Sequence, residues 1–183
     1  MTAGVVLLSA PALAQNDGVA ASGVRLRFGI STAGGLLLAA AQEPGGQVAP
    51  GEVWDLDVRL GVQFNRIFAL YAQPSVAIGM VNGVVCFNMP EAVLVLWAPV
   101  LVDFTFADRI SVAAGGGLAG VPGAPIGASL NFRVATYPIA RRWRNTFIRN
   151  GLMIGLETRA YWLTVDRGYE GGLIMLAVGY ERF

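Results

Sequence analysis

A chain of 183 residues in which 55% are apolar and only 14% charged is long enough for one domain, but short of the roughly 25% charged residues that clothe an ordinary soluble one. Its 13 cations, all arginine, nearly balance 12 acids at a formal net charge of +1, so no bulk cationic field favours nucleic acid. It has no histidine and one cysteine, Cys86, which removes the usual general base of a hydrolase, an internal disulfide and a thiolate metal cluster.

The first residues read as a processed leader. Val5 to Leu8 form a short apolar run ahead of Ala12-Leu13-Ala14, an A-x-A cleavage pattern, so residues 1–14 are expected to be a signal peptide. No Arg or Lys precedes Arg25, which predicts a truncated start and keeps open an apolar N-terminal element of the mature fold. Gln15 to Gly23 is expected to be a flexible lead.

From Val24 the chain alternates. Val24 to Ser31 places Val24, Leu26, Phe28 and Ile30 against Arg25, Arg27, Gly29 and Ser31, the two-residue period of a strand. Thr32 to Gly51, rich in Gly, Ala and Pro, predicts a long loop. The alternation is sharpest from Trp54 to Phe64, where Trp54, Leu56, Val58, Leu60, Val62 and Phe64 oppose Asp55, Asp57, Arg59, Gly61 and Gln63. A tight turn at Asn65-Arg66 leads into Phe68 to Met80, giving a hairpin. Val81 to Glu91 is expected to be a second long loop holding Cys86 as an inert thiol.

Ala92 to Phe106 predicts a fourth strand, apolar on both faces until Asp103, followed by a turn at Ala107-Asp108-Arg109. Ile110 to Leu118 and Ala124 to Ala135 are strands joined through Gly120 to Gly123. Tyr137 to Asn150 is basic. Leu152 to Trp162 and, after a turn at Asp166 to Gly172, Leu173 to Phe183 complete eight strands, most about 9–13 residues long, against the 9–11 that cross a bilayer at a tilt.

Sorted by phase, the even positions are Leu, Val, Ile, Phe and Trp. The odd positions are small residues interspersed with Arg25, Arg27, Arg59, Arg133 and Arg159, and with Asp55, Asp57, Asp103, Glu157 and Glu181. Five cations against five anions fit a narrow lumen in which each guanidinium meets a carboxylate, since an unpaired buried charge costs several kcal/mol. Eight strands leave an interior only wide enough for side chains. The expected fold is therefore all-β, a closed eight-stranded antiparallel up-and-down transmembrane β-barrel over residues 24–183, its lumen plugged by this network. Two other architectures stand beside it. A soluble lipocalin-like binder would turn the apolar face inward, and a helical membrane protein would use the charge-free stretches Ile67 to Pro90 and Ile110 to Phe132, although Pro and Gly interrupt both.

The leader-like start, the alternation with long and short connections and the terminal Phe183 resemble the small eight-stranded outer-membrane β-barrel superfamily of Gram-negative bacteria, the OmpA/OmpX-like transmembrane domains. That resemblance implies the outer membrane, with its lipid and the barrel-insertion machinery as partners, and a monomer. A terminal aromatic serves that machinery as a signal. Phe183 lies one residue out of phase with Tyr180, Val178, Leu176 and Ile174, so it follows a bulge or points inward. Barrel enzymes of this kind are similar in needing a histidine, so no catalytic residue, cofactor or metal is expected. Asp55 and Asp57 read as members of the ion-pair network, and Gly115-Gly116-Gly117 as close packing in the wall.

The basic segment reads in two ways. As a helix, Ile139, Trp143 and Phe147 share one face, with Arg141, Arg142, Arg144 and Arg149 over the rest, an interfacial anchor for anionic headgroups. As an irregular turn, its aromatics join the interfacial girdle. The expected role is structural or in surface interaction, with lateral passage of a small apolar ligand as the alternative if the lumen is apolar.

Overall fold

The computed structural model describes residues 24–41, 49–81, 92–122, 126–142, 149–163 and 169–182. The expected leader and lead, the segment holding Cys86, and Phe183 lie outside the described residues. Every element within them is a strand: β1 (Arg25–Ala41), β2 (Ala49–Gln63), β3 (Phe68–Ala72), β4 (Ser75–Val81), β5 (Ala92–Phe106), β6 (Ile110–Gly120), β7 (Gly127–Arg142), β8 (Arg149–Leu163) and β9 (Tyr169–Arg182). None of these residues forms a helix long and apolar enough to cross a membrane, and the charge-free stretches lie in strands.

Each strand pairs antiparallel with its sequence neighbours, and β1 pairs with both β2 and β9, which closes the sheet. β3 and β4 are halves of one stave. Ala72 faces Leu60 and Val100, Ser75 faces Asp57 and Trp97, and the register does not change between them. The break falls at Pro74, which has no N–H to give the ladder, yet its carbonyl still accepts from Val58 N–H at 3.0 Å, and Gln73 N–H donates to the Pro99 carbonyl at 2.9 Å. The barrel therefore has eight staves.

The even face is outside. Leu26 is 77% and Trp54 68% exposed, and the even positions of the other staves follow them, while Arg27, Asp57, Arg59, Asp103 and Glu181 are fully buried. This polarity turns down the lipocalin-like alternative, in which the apolar face would be the core. Apolar side chains over a closed ladder leave no backbone group wanting water, the condition for a sheet to stand in hydrocarbon.

Two expectations are corrected. The loop expected over Thr32 to Gly51 is strand for most of its length, since β1 runs to Ala41 and β2 starts at Ala49, with Ala39 facing Ala49. Its small residues, which read as a breaker signal, suit a wall in which Thr32, Leu36 and Leu38 face out and Ala33 and Leu37 face in. The basic segment is likewise strand through Arg142 and again from Arg149, with Arg141 opposite Asn150. Its helical reading fails because Tyr137-Pro138 forms a bulge, the register shifting between Thr136 and Ile139, which accommodates proline and resets the phase. The Gly-rich turn expected over Asp166 to Gly172 also ends early, at β9 from Tyr169.

Inside, two tyrosines lie over glycines on the neighbouring strand. Tyr71 faces Gly61 and Tyr161 faces Gly171, so a narrow barrel accommodates a large ring where its partner has no side chain. A Cβ at Gly61 would run into the Leu70 carbonyl and the Tyr71 Cα, whereas at Gly171 it would meet only the far end of the Tyr161 ring. Overpacking costs about 1–3 kcal/mol. Gly61→Ala is expected to lower the urea midpoint of the folded barrel, followed by its gel mobility without boiling, more than Gly171→Ala; equal losses would mean that the wall yields around Gly61.

Candidate functional site inside the barrel wall

Alternation aims the odd side chains of all eight staves at one axis, and nine of the ten residues expected in the lumen network are there, each no more than 3% exposed. Arg25, the tenth, is half-buried at the mouth. Taking the turns at residues 64–67 and 107–109 as one end of the barrel, the interior begins with a charged layer. Arg27 Nε donates to Glu181 Oε1 at 2.5 Å and its Nη1 lies 3.0 Å from Asp103 Oδ1. Arg133 Nη2 reaches Asp103 Oδ2 at 3.0 Å. Asp103 also accepts from Ser111 Oγ at 2.5 Å and Thr105 Oγ1 at 3.0 Å, so one carboxylate gathers two guanidiniums and two hydroxyls. Tyr137 donates to Glu181 Oε2 at 2.6 Å. Arg27 and Arg133 lie 5.2 and 5.3 Å from the centre of the Tyr71 ring, within cation–π range.

A second group sits deeper. Arg159 takes Asp55 in a fork, Nη2 to Oδ2 at 2.7 Å and Nη1 to Oδ1 at 3.2 Å, the geometry that makes Arg–carboxylate pairs strong. It also donates to Glu157 Oε2 at 2.9 Å and Ser75 Oγ at 2.6 Å, while Gln73 Nε2 reaches the same Glu157 oxygen at 3.1 Å. Arg59 links the two groups. It donates to Ser31 Oγ at 2.8 Å and to Met153 Sδ, which Arg133 also approaches, and stands 3.6 Å from Asp57 and 3.8 Å from Glu157. Asp57 in turn accepts from Ser31 at 2.6 Å.

Beyond the charges the interior becomes apolar. Leu37, Val53, Val95, Trp97, Ala119, Tyr161 and Leu173 form one buried cluster, with the Trp97 and Tyr161 rings edge to face at 5.4 Å. Arg159 lies 5.6 Å from the centre of the Trp97 ring, so the two layers meet there.

Lipid-facing Leu, Val, Ile and Phe surround this charged interior, the inverse of a soluble barrel. The chain is a closed, eight-stranded, outer-membrane-type β-barrel. No family model and no curated protein matches it. Among solved structures it is similar to Neisserial surface protein A, at 15% identity over 86% of this chain and 97% of that one, with a TM-score of 0.49. It is also similar to Ail, the attachment invasion locus protein of Yersinia pestis, at 13% identity over 84% of this chain and 97% of that one, with a TM-score of 0.42. Likeness at this level is one of outline.

The polar partners Ser31, Gln63, Tyr71, Gln73, Ser75, Thr105, Ser111, Tyr137 and Met153 were not anticipated in the sequence, though each occupies the odd phase that faces the lumen. Asp55, Asp57 and Glu157 bring one oxygen each within 4.8 Å of one another, the one cluster among the described residues with a metal-ligand outline. Arg159 and Arg59 stand in direct contact with these carboxylates, so guanidinium is the cation the cluster is built around. Of the basic segment, Ile139 and Arg141 are exposed and Arg142 closes β7, but Arg149 turns inward, buried and ion-paired with Asp108. Trp143, Arg144 and Phe147 lie outside the described residues.

Within the wall the buried acids Asp55, Asp57, Asp103, Glu157 and Glu181 outnumber the deep cations Arg27, Arg59, Arg133 and Arg159 by one, and Asp57 has the longest ion-pair contact of the five. Asp103→Asn, which leaves two buried guanidiniums short of a charge, is expected to cost about 3 kcal/mol. Asp57→Asn, which removes the surplus charge and keeps the Ser31 hydrogen bond, is expected to cost less than about 1 kcal/mol. Urea unfolding in detergent micelles compares the two, and an Asp57→Asn loss as large as that of Asp103→Asn would show that Asp57 is not the surplus charge.

Proposed function

We propose that this chain is a monomeric, non-enzymatic protein of the Gram-negative outer membrane, closed to solutes along its axis, whose role is structural or lies in contacts made at the cell surface. The observation that carries this reading is the stacking of an apolar layer, Leu37, Val53, Val95, Trp97 and Leu173, on the charged layer. A water-filled pore needs a polar lining along its whole length. Here a hydrated ion would have to pass both a set of short guanidinium–carboxylate contacts and a cluster of packed aromatic and aliphatic side chains. The pairing of β1 with β9 completes the wall within a single chain, which supports a monomer. Asp55 and Asp57, the carboxylates best spaced for acid–base chemistry, are held in contacts with Arg159, Arg59 and Ser31, an arrangement that favours a structural part for both.

The purified chain is expected to migrate differently on a gel before and after boiling, and its reconstitution into planar bilayers is expected to give no stepwise conductance. Stable single-channel steps from the gel-shifted form would sink the closed-lumen reading while leaving the barrel intact. Lateral transport of a small apolar ligand predicts instead that an apolar fluorophore exchanges between vesicle populations faster with the barrel present.

A further inference from the structure

The bulge at Tyr137-Pro138 changes which residues of β7 face the membrane. Up to Thr136 the even positions point out. Beyond the bulge Ile139 and Arg141 are exposed although both are odd, because two residues of β7 there oppose one of β8. Arg141 pairs across the sheet with Asn150 of β8, and Asn150 with Arg182 of β9. Cross-strand partners share a face, so Arg141, Asn150 and Arg182 form a row on the outer wall, its two arginines exposed and separated by two strand spacings, about 10 Å. The next row towards the middle of the wall is Ile139, Leu152 and Tyr180, all exposed and apolar or aromatic.

Two cations bracketing an amide, directly beside lipid-facing apolar side chains, match a molecule with an anionic phosphate head and acyl tails. Asn150 Oδ1 is buried without a hydrogen-bond partner, so the middle of the row is not satisfied by the protein itself. The rest of this end carries the same sign. Arg25 opens β1, Arg66 and Arg109 sit in the two tight turns, and Asp108, paired with Arg149, is the one acid among the described residues of those turns.

We infer that Arg141, Asn150 and Arg182 form a binding site for an anionic phospholipid of the leaflet at the turn end, its phosphate held between the two guanidiniums and its tails lying along Ile139, Leu152 and Tyr180. The lipid source, and not a soluble acid, follows from continuity with the hydrocarbon-facing band. The inference rests on the barrel spanning a membrane. It moves the anchor away from the inward-facing Arg149 to Arg182, which the basic segment does not contain.

The test uses the full chain inserted in vesicles of phosphatidylcholine with and without phosphatidylglycerol, released in mild detergent and weighed intact by native mass spectrometry. The expected result is retention of phosphatidylglycerol in preference to phosphatidylcholine, a preference that falls about tenfold in Arg141→Gln/Arg182→Gln, since losing one charge-assisted contact costs on the order of 1.5 kcal/mol or more. It is expected to survive in Arg109→Gln and to be largely restored in Arg141→Lys/Arg182→Lys, which keeps the charge if the glutamine pair folds poorly. No preference in the wild type, or an equal loss in Arg109→Gln and the double variant, would overturn the site while the gel shift still reported a folded barrel. A chain with no gel-shifted form in any vesicle would overturn the membrane barrel as well.

Discussion

Hydrocarbon offers a peptide group no hydrogen-bond partner, and the rest of this structure follows from that constraint. A sheet in lipid has to close so that no edge remains, and here closure is the pairing of β1 with β9 along fourteen positions from Phe28–Arg182 to Ala41–Tyr169. Once the wall is closed, every stave has a lipid side and a lumen side, and alternation becomes obligatory. Prolines fit because the ladder is kept around them: Pro74 and Pro99 each give up a donor, but their carbonyls still accept from the adjoining strands. Pro138 fits only through a bulge, and the price is a change of phase.

The same constraint explains the interior. Eight staves enclose a space that side chains must fill themselves, and where the filling is charged, burial removes the solvation that water would supply. Compensation comes from sharing. Asp103 serves Arg27 and Arg133, Glu157 serves Arg159 and Arg59, and Arg27 joins Glu181 to Asp103. Hydroxyls and amides take the remaining lone pairs, with Ser31 on Asp57, Ser111 and Thr105 on Asp103, and Gln73 on Glu157. Such a lattice adds less net stability than an apolar filling of the same volume, yet it makes single deletions costly. It also specifies register, because a one-residue slip would carry the charges into lipid.

How much of this was legible in the sequence depended on contrast between the faces. Trp54 to Phe64, where every apolar residue has a polar neighbour, announced its strand and both of its faces, and the outward even phase extends to all eight staves. Thr32 to Ala41 was read as loop because Gly, Ala and Leu on both faces leave no contrast, and only the partner strands reveal its pairing. The charged members of the lumen stood out by charge. Tyr71, Gln73 and Tyr137 did not, although their odd positions carried the same information, because a tyrosine or glutamine in a strand is unremarkable until an arginine is seen beside it.

The basic segment shows a different limit. Ile139, Trp143 and Phe147 at four-residue spacing imitate a helical face, and no periodicity argument separates that from a strand whose phase has been reset. Proline at position 138 was the available signal, since within a sheet it implies an edge or a bulge. A bulge moves every later side chain of its strand to the other face. By that one step Arg141, which would otherwise have added a further charge to the crowded lumen, comes to lie on the outer wall in line with Arg182. The irregularity therefore does for the membrane face what alternation does for the lumen: it decides which solvent each charge meets.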